Sequence, residues 1–141
     1  MAQTPHARRV IAGLRGAARD SLKQALLALE SSGCDAAGYR LTGPVLGRLC
    51  MVHLYGSWRL LLAFAEPDVA VVIDIGEHLG SDRHRDIYAR LYEAIGTAPG
   101  QEARTKPPCC DDTGLPPVTA ELVDDLIDAY RALIERRPRR R

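Results

Sequence analysis

Between residues 49 and 77 the chain alternates apolar runs with tight breaks, and this leaves little choice of local architecture. Gly56-Ser57 divides the run ending at Tyr55 from the run that starts at Trp58, and Glu66-Pro67-Asp68 divides the latter from Val69-Ala70-Val71-Val72-Ile73-Asp74-Ile75. Glycine supplies the positive φ of a hairpin turn, Pro-Asp favours a turn, and Val and Ile suit a pleated sheet. Connections this short join antiparallel neighbours. Strands over 48–55, 58–65 and 69–75 are therefore predicted to form a meander, preceded by a short strand over 39–45 between Gly38 and Gly43-Pro44. Side chains alternate along a strand. Arg48, Cys50, Val52 and Leu54 share one face, while Leu49, Met51, His53 and Tyr55 share the other.

Upstream, Val10, Ile11 and Leu14, then Leu22, Ala25, Leu26 and Leu29, recur at helical spacing. Gly13 and Gly16 interrupt, Asp20 is the expected cap of a second helix, and Gly33 follows its end. A helical hairpin over 6–15 and 20–32 is predicted to cover one face of the sheet and leave the other partly open. Ile87, Leu91 and Ile95 mark a helix over 82–95 that stops at Gly96. Residues 97–117 hold five prolines without periodicity and read as a linker. Thr119 caps a last helix whose stripe of Leu122, Val123, Leu126, Ile127, Tyr130, Leu133 and Ile134 is too wide to leave in water. That helix is predicted to pack back on the body. The expected class is α+β, with a domain over 1–96, the linker over 97–117, and a C-terminal amphipathic helix with a basic tail over 118–141. Met1 to Thr4 are too few for a typical strand, so one sheet edge is expected to be absent or shortened.

At 141 residues and 46% hydrophobic the chain can bury a real core as one domain with an appendage. Its formal net charge of +1 is low for a protein that draws affinity from phosphate, so any such role must rest on local clusters. Of the 19 basic residues 17 are Arg and 2 are Lys, and Arg suits bidentate phosphate recognition. No apolar stretch follows the first residues as a signal peptide needs, and none approaches the ~20 residues of a membrane span. Cys34, Cys50, Cys109 and Cys110 show no Cys-x-x-Cys spacing. The sequence reading is reduced thiols in a soluble cytoplasmic protein, not a disulfide framework. Cys109-Cys110 with Asp111-Asp112 reads as loop thiols rather than a metal site, because adjacent cysteines rarely serve one tetrahedral metal. No cofactor is expected.

The residues able to do chemistry gather around the meander. Arg59 sits among apolar strand residues, where an unpaired buried cation is costly. It either meets solvent, pairs with Glu66 or Asp74, or serves a site that needs positive charge. His53 ends one strand and His78 follows another, and histidine titrates near neutrality as proton transfer requires. Arg83, His84, Arg85 and Tyr88 come next. The plainer readings are a surface histidine at 53, a strand-end histidine at 78, a solvated helix start at 83–85, and a tyrosine packed on the sheet.

The order Tyr39-Arg40-Leu41, Gly56-Ser57-Trp58-Arg59, Ile75-Gly76-Glu77-His78 and Asp86-Ile87-Tyr88 resembles the RelE/ParE superfamily of bacterial toxins, over roughly residues 5–96. The resemblance implies a helical hairpin packed on a small antiparallel sheet, and a toxin of a toxin–antitoxin system held by a cognate antitoxin protein. In the RelE-like branch it implies a metal-independent endoribonuclease that cuts mRNA on the ribosome by attack of the 2′-OH on the adjacent phosphate. Arg59 would then offset phosphate charge. His78, His53 or His84 would move protons, Tyr88 would orient the substrate, and Arg40, Arg48, Arg83 and Arg85 would hold RNA. The ParE-like alternative inhibits DNA gyrase without chemistry, and a non-toxic relative would only bind protein. Histidine at 78 departs from the family's usual Arg or Lys, as does the lack of strand lysines.

Overall fold

The computed structural model describes residues 2–41, 46–79, 86–96 and 107–136. In chain order they form β1 (Ala2–Gln3), α1 (Pro5–Gly13), α2 (Gly16–Ser32), β2 (Tyr39–Arg40), β3 (Leu49–His53), β4 (Trp58–Glu66), β5 (Val69–Glu77), α3 (Ile87–Ile95) and α4 (Ala120–Arg136). The protein is α+β. Its single sheet runs β1-β5-β4-β3-β2, with β2 to β5 antiparallel and β1 parallel to β5.

The meander follows the sequence reading, and its alternation fixes the core. Cys50, Val52, Leu60 and Leu62 pack with Ala7, Leu14, Leu22 and Leu29 from the α1–α2 side. Leu49, Met51, Leu61 and Ala63 pack with Ile87, Leu91, Val123, Leu126 and Tyr130 from the α3–α4 side. The second face is therefore covered, not partly open as expected. The apolar stripe of α4 supplies that cover, as its width requires.

Several local expectations are corrected. The sheet includes the first residues: Thr4 donates its backbone N–H to Val72 O (2.9 Å), and its hydroxyl donates to Ile73 O (2.7 Å). The same hydroxyl caps α1 by accepting from Ala7 N–H (3.1 Å), with Pro5 opening the helix. The edge strand so formed is two residues long. α2 starts at Gly16, not Asp20, and its cap position, Arg15, makes no side-chain capping bond to the helix. Gly16 supplies the break between the helices with φ +61°. Only Tyr39–Arg40 is strand where 39–45 was predicted, and residues 42–45 lie outside the described residues. Arg48 closes a 3-10 turn before β3 instead of opening the strand.

Leu61 pairs with Asp74 and Leu62 with Val72, so Ile73 is an extra residue in β5. Such a bulge re-aims side chains. Ile73 enters the α3–α4 core, and Asp74 beside it meets Arg90 of α3.

The cysteines overturn the reduced-thiol reading. Cys34 is bonded to Cys110 and Cys50 to Cys109, with Cα–Cα distances of 5.6 and 5.7 Å. The chain bends at Cys109 and Cys110, and the neighbouring pair reaches two separate partners. Sequence spacing cannot reveal this, because both partners are distant in the chain. Residues 107–119 thus form a strap across the sheet. Arg40 N–H donates to Pro107 O (2.7 Å) and Thr119 N–H donates to Phe64 O (2.8 Å), after which Thr119 Oγ1 accepts from Leu122 N–H at the start of α4.

Candidate functional site

His53 ends β3 and lies opposite Arg59 on β4, which in turn lies opposite Gly76 on β5. Gly56 takes φ +59° in the turn between β3 and β4. Trp58 packs on the α1–α2 core, so strand alternation sends Arg59 to the other face. Arg59 Nη1 donates to Gly56 O (3.0 Å) and Trp58 O (2.9 Å). Among the described residues no carboxylate pairs with Arg59, since Asp74 is engaged by Arg90.

Two tyrosines enter the same face. Tyr39 Oη lies 2.8 Å from Tyr88 Oη and 3.1 Å from His53 Nε2. Burial pushes the Tyr88 phenol well above its ordinary range; the bond to Tyr39 adds to the rise and Arg59 opposes it. Tyr88 is thus a neutral hydroxyl at any physiological pH. It can orient a ligand, but it is no proton acceptor.

The His78 ring stands edge-on to Tyr88, with centroids 4.7 Å apart. Its backbone N–H donates to Ser57 O (2.8 Å), which extends β5 by one residue. Its Nδ1 lies 2.8 Å from Asp86 Oδ1, and about half of the side chain (48%) meets solvent. Asp86 also accepts from the N–H groups of Leu79 (2.7 Å) and Ala89 (2.9 Å), the latter as the cap of α3. Burial raises the Asp86 carboxyl, but the bonds from His78, Ala89 and Leu79 outweigh it and hold the group below the ordinary value of 3.8. A carboxylate fixed on Nδ1 sets the tautomer and steadies an imidazolium, leaving Nε2 for proton exchange.

The fold therefore brings together Arg59, His53, His78 and Tyr88. It adds Tyr39 and Asp86, which the sequence reading quoted within its motifs but gave no role. Asp86 had a signal: an Asp directly before a periodic helix is a preferred cap. Tyr39 had none that separates it from a core tyrosine. Arg40 faces the other side. It stands near Asp111, whose carboxyl is lowered mainly by bonds from Thr113 and Leu115, with Arg40 adding to them. Arg48 is exposed just before β3, whose Leu49–His53 span alone is roughly 13 Å by strand rise. Arg83, His84 and Arg85 lie outside the described residues.

A second polar cluster is internal. Arg90 holds Asp74 through Nε to Oδ2 (3.0 Å) and Nη2 to Oδ1 (3.2 Å). His6 Nε2 lies 2.9 Å from Asp74 Oδ1 without hydrogen-bond alignment. The His6 ring stacks on Tyr130, with centroids 5.7 Å apart, and the Tyr130 hydroxyl is buried without a partner among the described residues. This cluster joins α1, β5, α3 and α4 and is largely buried. Among the described residues no group of three or more His, Cys, Asp or Glu could hold a metal, and no helix is long and apolar enough to cross a membrane.

Compared with known protein families, curated proteins and solved structures, the chain matches none. The chemistry of the surface cluster must stand on its own geometry. It offers a cation, an oriented and exposed imidazole, and tyrosine hydroxyls on one face, which is a set suited to a phosphodiester.

Proposed function

We propose that this protein is a RelE-like endoribonuclease that cuts mRNA at the ribosome without a metal and is restrained by an antitoxin protein. The observation that carries the reading is the His78–Asp86 pair standing beside Tyr88, on the face that Arg59 and His53 share. Arg59 offsets the charge that builds on the phosphate. The RNA 2′-OH attacks phosphorus, the bond to the 5′ oxygen breaks, and a 2′,3′-cyclic phosphate and a 5′-hydroxyl result. His78 Nε2 exchanges the proton with the leaving or attacking oxygen, while His53 takes the complementary step. Tyr88 and Tyr39 orient the sugar through their hydroxyls. In this reading α1 and α2 are the hairpin of a RelE-like fold, and β1 is its first strand in abbreviated form. A role at the ribosome puts the chain in the cytoplasm, a reducing compartment in which its disulfides face thiol exchange.

The formal net charge of +1 favours a second reading, because strong phosphate affinity draws on excess cations. In it the same face binds a protein, such as DNA gyrase in the ParE-like manner, and does no chemistry.

Induced expression followed by sequencing of RNA 5′ ends separates the two. New ends within coding regions, lost in a folded Arg59→Ala or His78→Ala protein, are expected for the nuclease. Growth arrest with intact messages and inhibited gyrase selects the second reading.

A further inference from the structure

Tyr39 Oη stands between two partners, 3.1 Å from His53 Nε2 and 2.8 Å from Tyr88 Oη. A phenol has one proton to donate, so this row has only two polarities. When His53 Nε2 accepts, the Tyr39 proton points to it, the Tyr88 proton points to Tyr39, and Tyr88 Oη meets a ligand with its lone pairs. When Nε2 carries a proton, every bond reverses and Tyr88 turns a proton to the ligand. Passing from the first polarity to the second moves one proton from the ligand to His53. We propose that the two hydroxyls are a proton relay, through which His53 removes the 2′-OH proton of the RNA without touching it. The inference rests on the nuclease reading.

As the 2′ oxygen bonds to phosphorus, its proton passes to Tyr88 Oη, the Tyr88 proton to Tyr39 Oη, and the Tyr39 proton to His53 Nε2. The bond from phosphorus to the 5′ oxygen breaks, and that oxygen takes a proton from His78 Nε2. His53 ends as imidazolium and His78 as neutral imidazole, and exchange with water resets both. No phenolate forms, because each hydroxyl gives a proton as it takes one. Tyr88 therefore takes part although burial keeps its phenol from ionising.

The surroundings fit a relay. Tyr39 is buried, so water does not break the middle of the row. His53 is exposed and can release the proton to solvent. Its ring stands edge-on to Tyr39, with centroids 5.3 Å apart. The bond to Tyr39 adds to the rise of the Tyr88 phenol, as it does where Tyr88 is the donor. Arg59 lies opposite His53 in register, and its charge reaches Tyr88, so a phosphate held there adjoins the ligand end of the row. Among the described residues the charged groups facing His53 are Arg59 and, beyond the phenols, the His78–Asp86 pair.

The test reads the row with and without RNA. In the free full-length protein, nitrogen NMR of labelled histidine should find neutral His53 protonated on Nδ1 and accepting at Nε2, and Tyr39→Phe should shift the Nε2 signal. Single-turnover cutting of a message on ribosomes should slow about a hundredfold in Tyr39→Phe and in His53→Ala. The double variant should be no slower than either, and each should lose the acid-side limb of the pH profile. Neutral His53 protonated on Nε2 would overturn the relay whatever the RNA shows. So would losses that add in the double variant, or a limb kept in Tyr39→Phe. The expected tautomer in a wild-type chain that leaves messages intact overturns the nuclease reading instead, and the transfer with it. Should Tyr39→Phe fail to fold, the wild-type tautomer and His53→Ala still decide: a folded His53→Ala protein that cuts at the parent rate ends the proposal.

Discussion

Arg90 crosses the backbone of Gly76 to reach Asp74. A Cβ built on Gly76 falls on the Arg90 guanidinium, so the absence of a side chain at 76 is what lets α3 deliver its cation to the buried carboxylate. Gly76→Ala should displace the guanidinium and break the Arg90–Asp74 pair, leaving the buried carboxylate with the Ile75 N–H and the poorly aligned His6, at a cost of up to about 3–5 kcal/mol. Denaturant unfolding would read the loss. Replacing both partners with Leu and Met should cost less than removing Arg90 alone. A Gly76→Ala protein as stable as the parent would mean that Arg90 has another route to its partner.

Acid should act on the cap of α3. The Asp86 carboxyl is held below its ordinary 3.8, so its ionised form favours the folded state. That contribution is complete above about pH 4–5 and fades as pH falls through the folded value. Asp86→Ala is expected to lose about 1 kcal/mol near neutrality through the missing cap. The gap from the parent should narrow below pH 3.8, a trend that unfolding curves at several pH values can follow. A gap that widens in acid would contradict the ion pair with His78.

Tyr130 carries a buried hydroxyl with no partner among the described residues. Burial, reinforced by the Asp74 charge, drives its phenol well above the ordinary 10.0. Such a group supports the fold below that value and withdraws the support as pH rises toward the folded value. Tyr130→Phe removes the unsatisfied oxygen and keeps the ring against His6. It should raise stability by about 1 kcal/mol at neutral pH and lessen alkaline unfolding. A loss of stability on calorimetry would show that the hydroxyl has a partner after all, such as a buried water.

The helices and the meander were legible because apolar periodicity carries them. Leu22 and Leu29 mark α2, and the Val-rich run marks β5. β1 was not, since two residues cannot display a period. The convergence of Arg59, His53, His78 and Tyr88 followed from order along the strands, but their pairing with Tyr39 and Asp86 needed the third dimension. The Asp74 pair was hidden for a similar reason. A one-residue bulge changes which face a strand residue meets, and no local pattern announces it. The disulfides were misread because Cys109 and Cys110 were weighed as a couple rather than as two single partners.

The nested cross-links also divide the chain mechanically. Cys50–Cys109 lies inside the loop that Cys34–Cys110 closes, so a pull on the two chain ends is carried past the whole meander by covalent bonds. In an oxidised molecule, tension can peel away α1, α2 and α4 while β2 to β5 stay slack inside the loop. The catalytic face proposed above would keep its strand pairing under a load that strips its helices, and only a reduced chain would extend to its full contour.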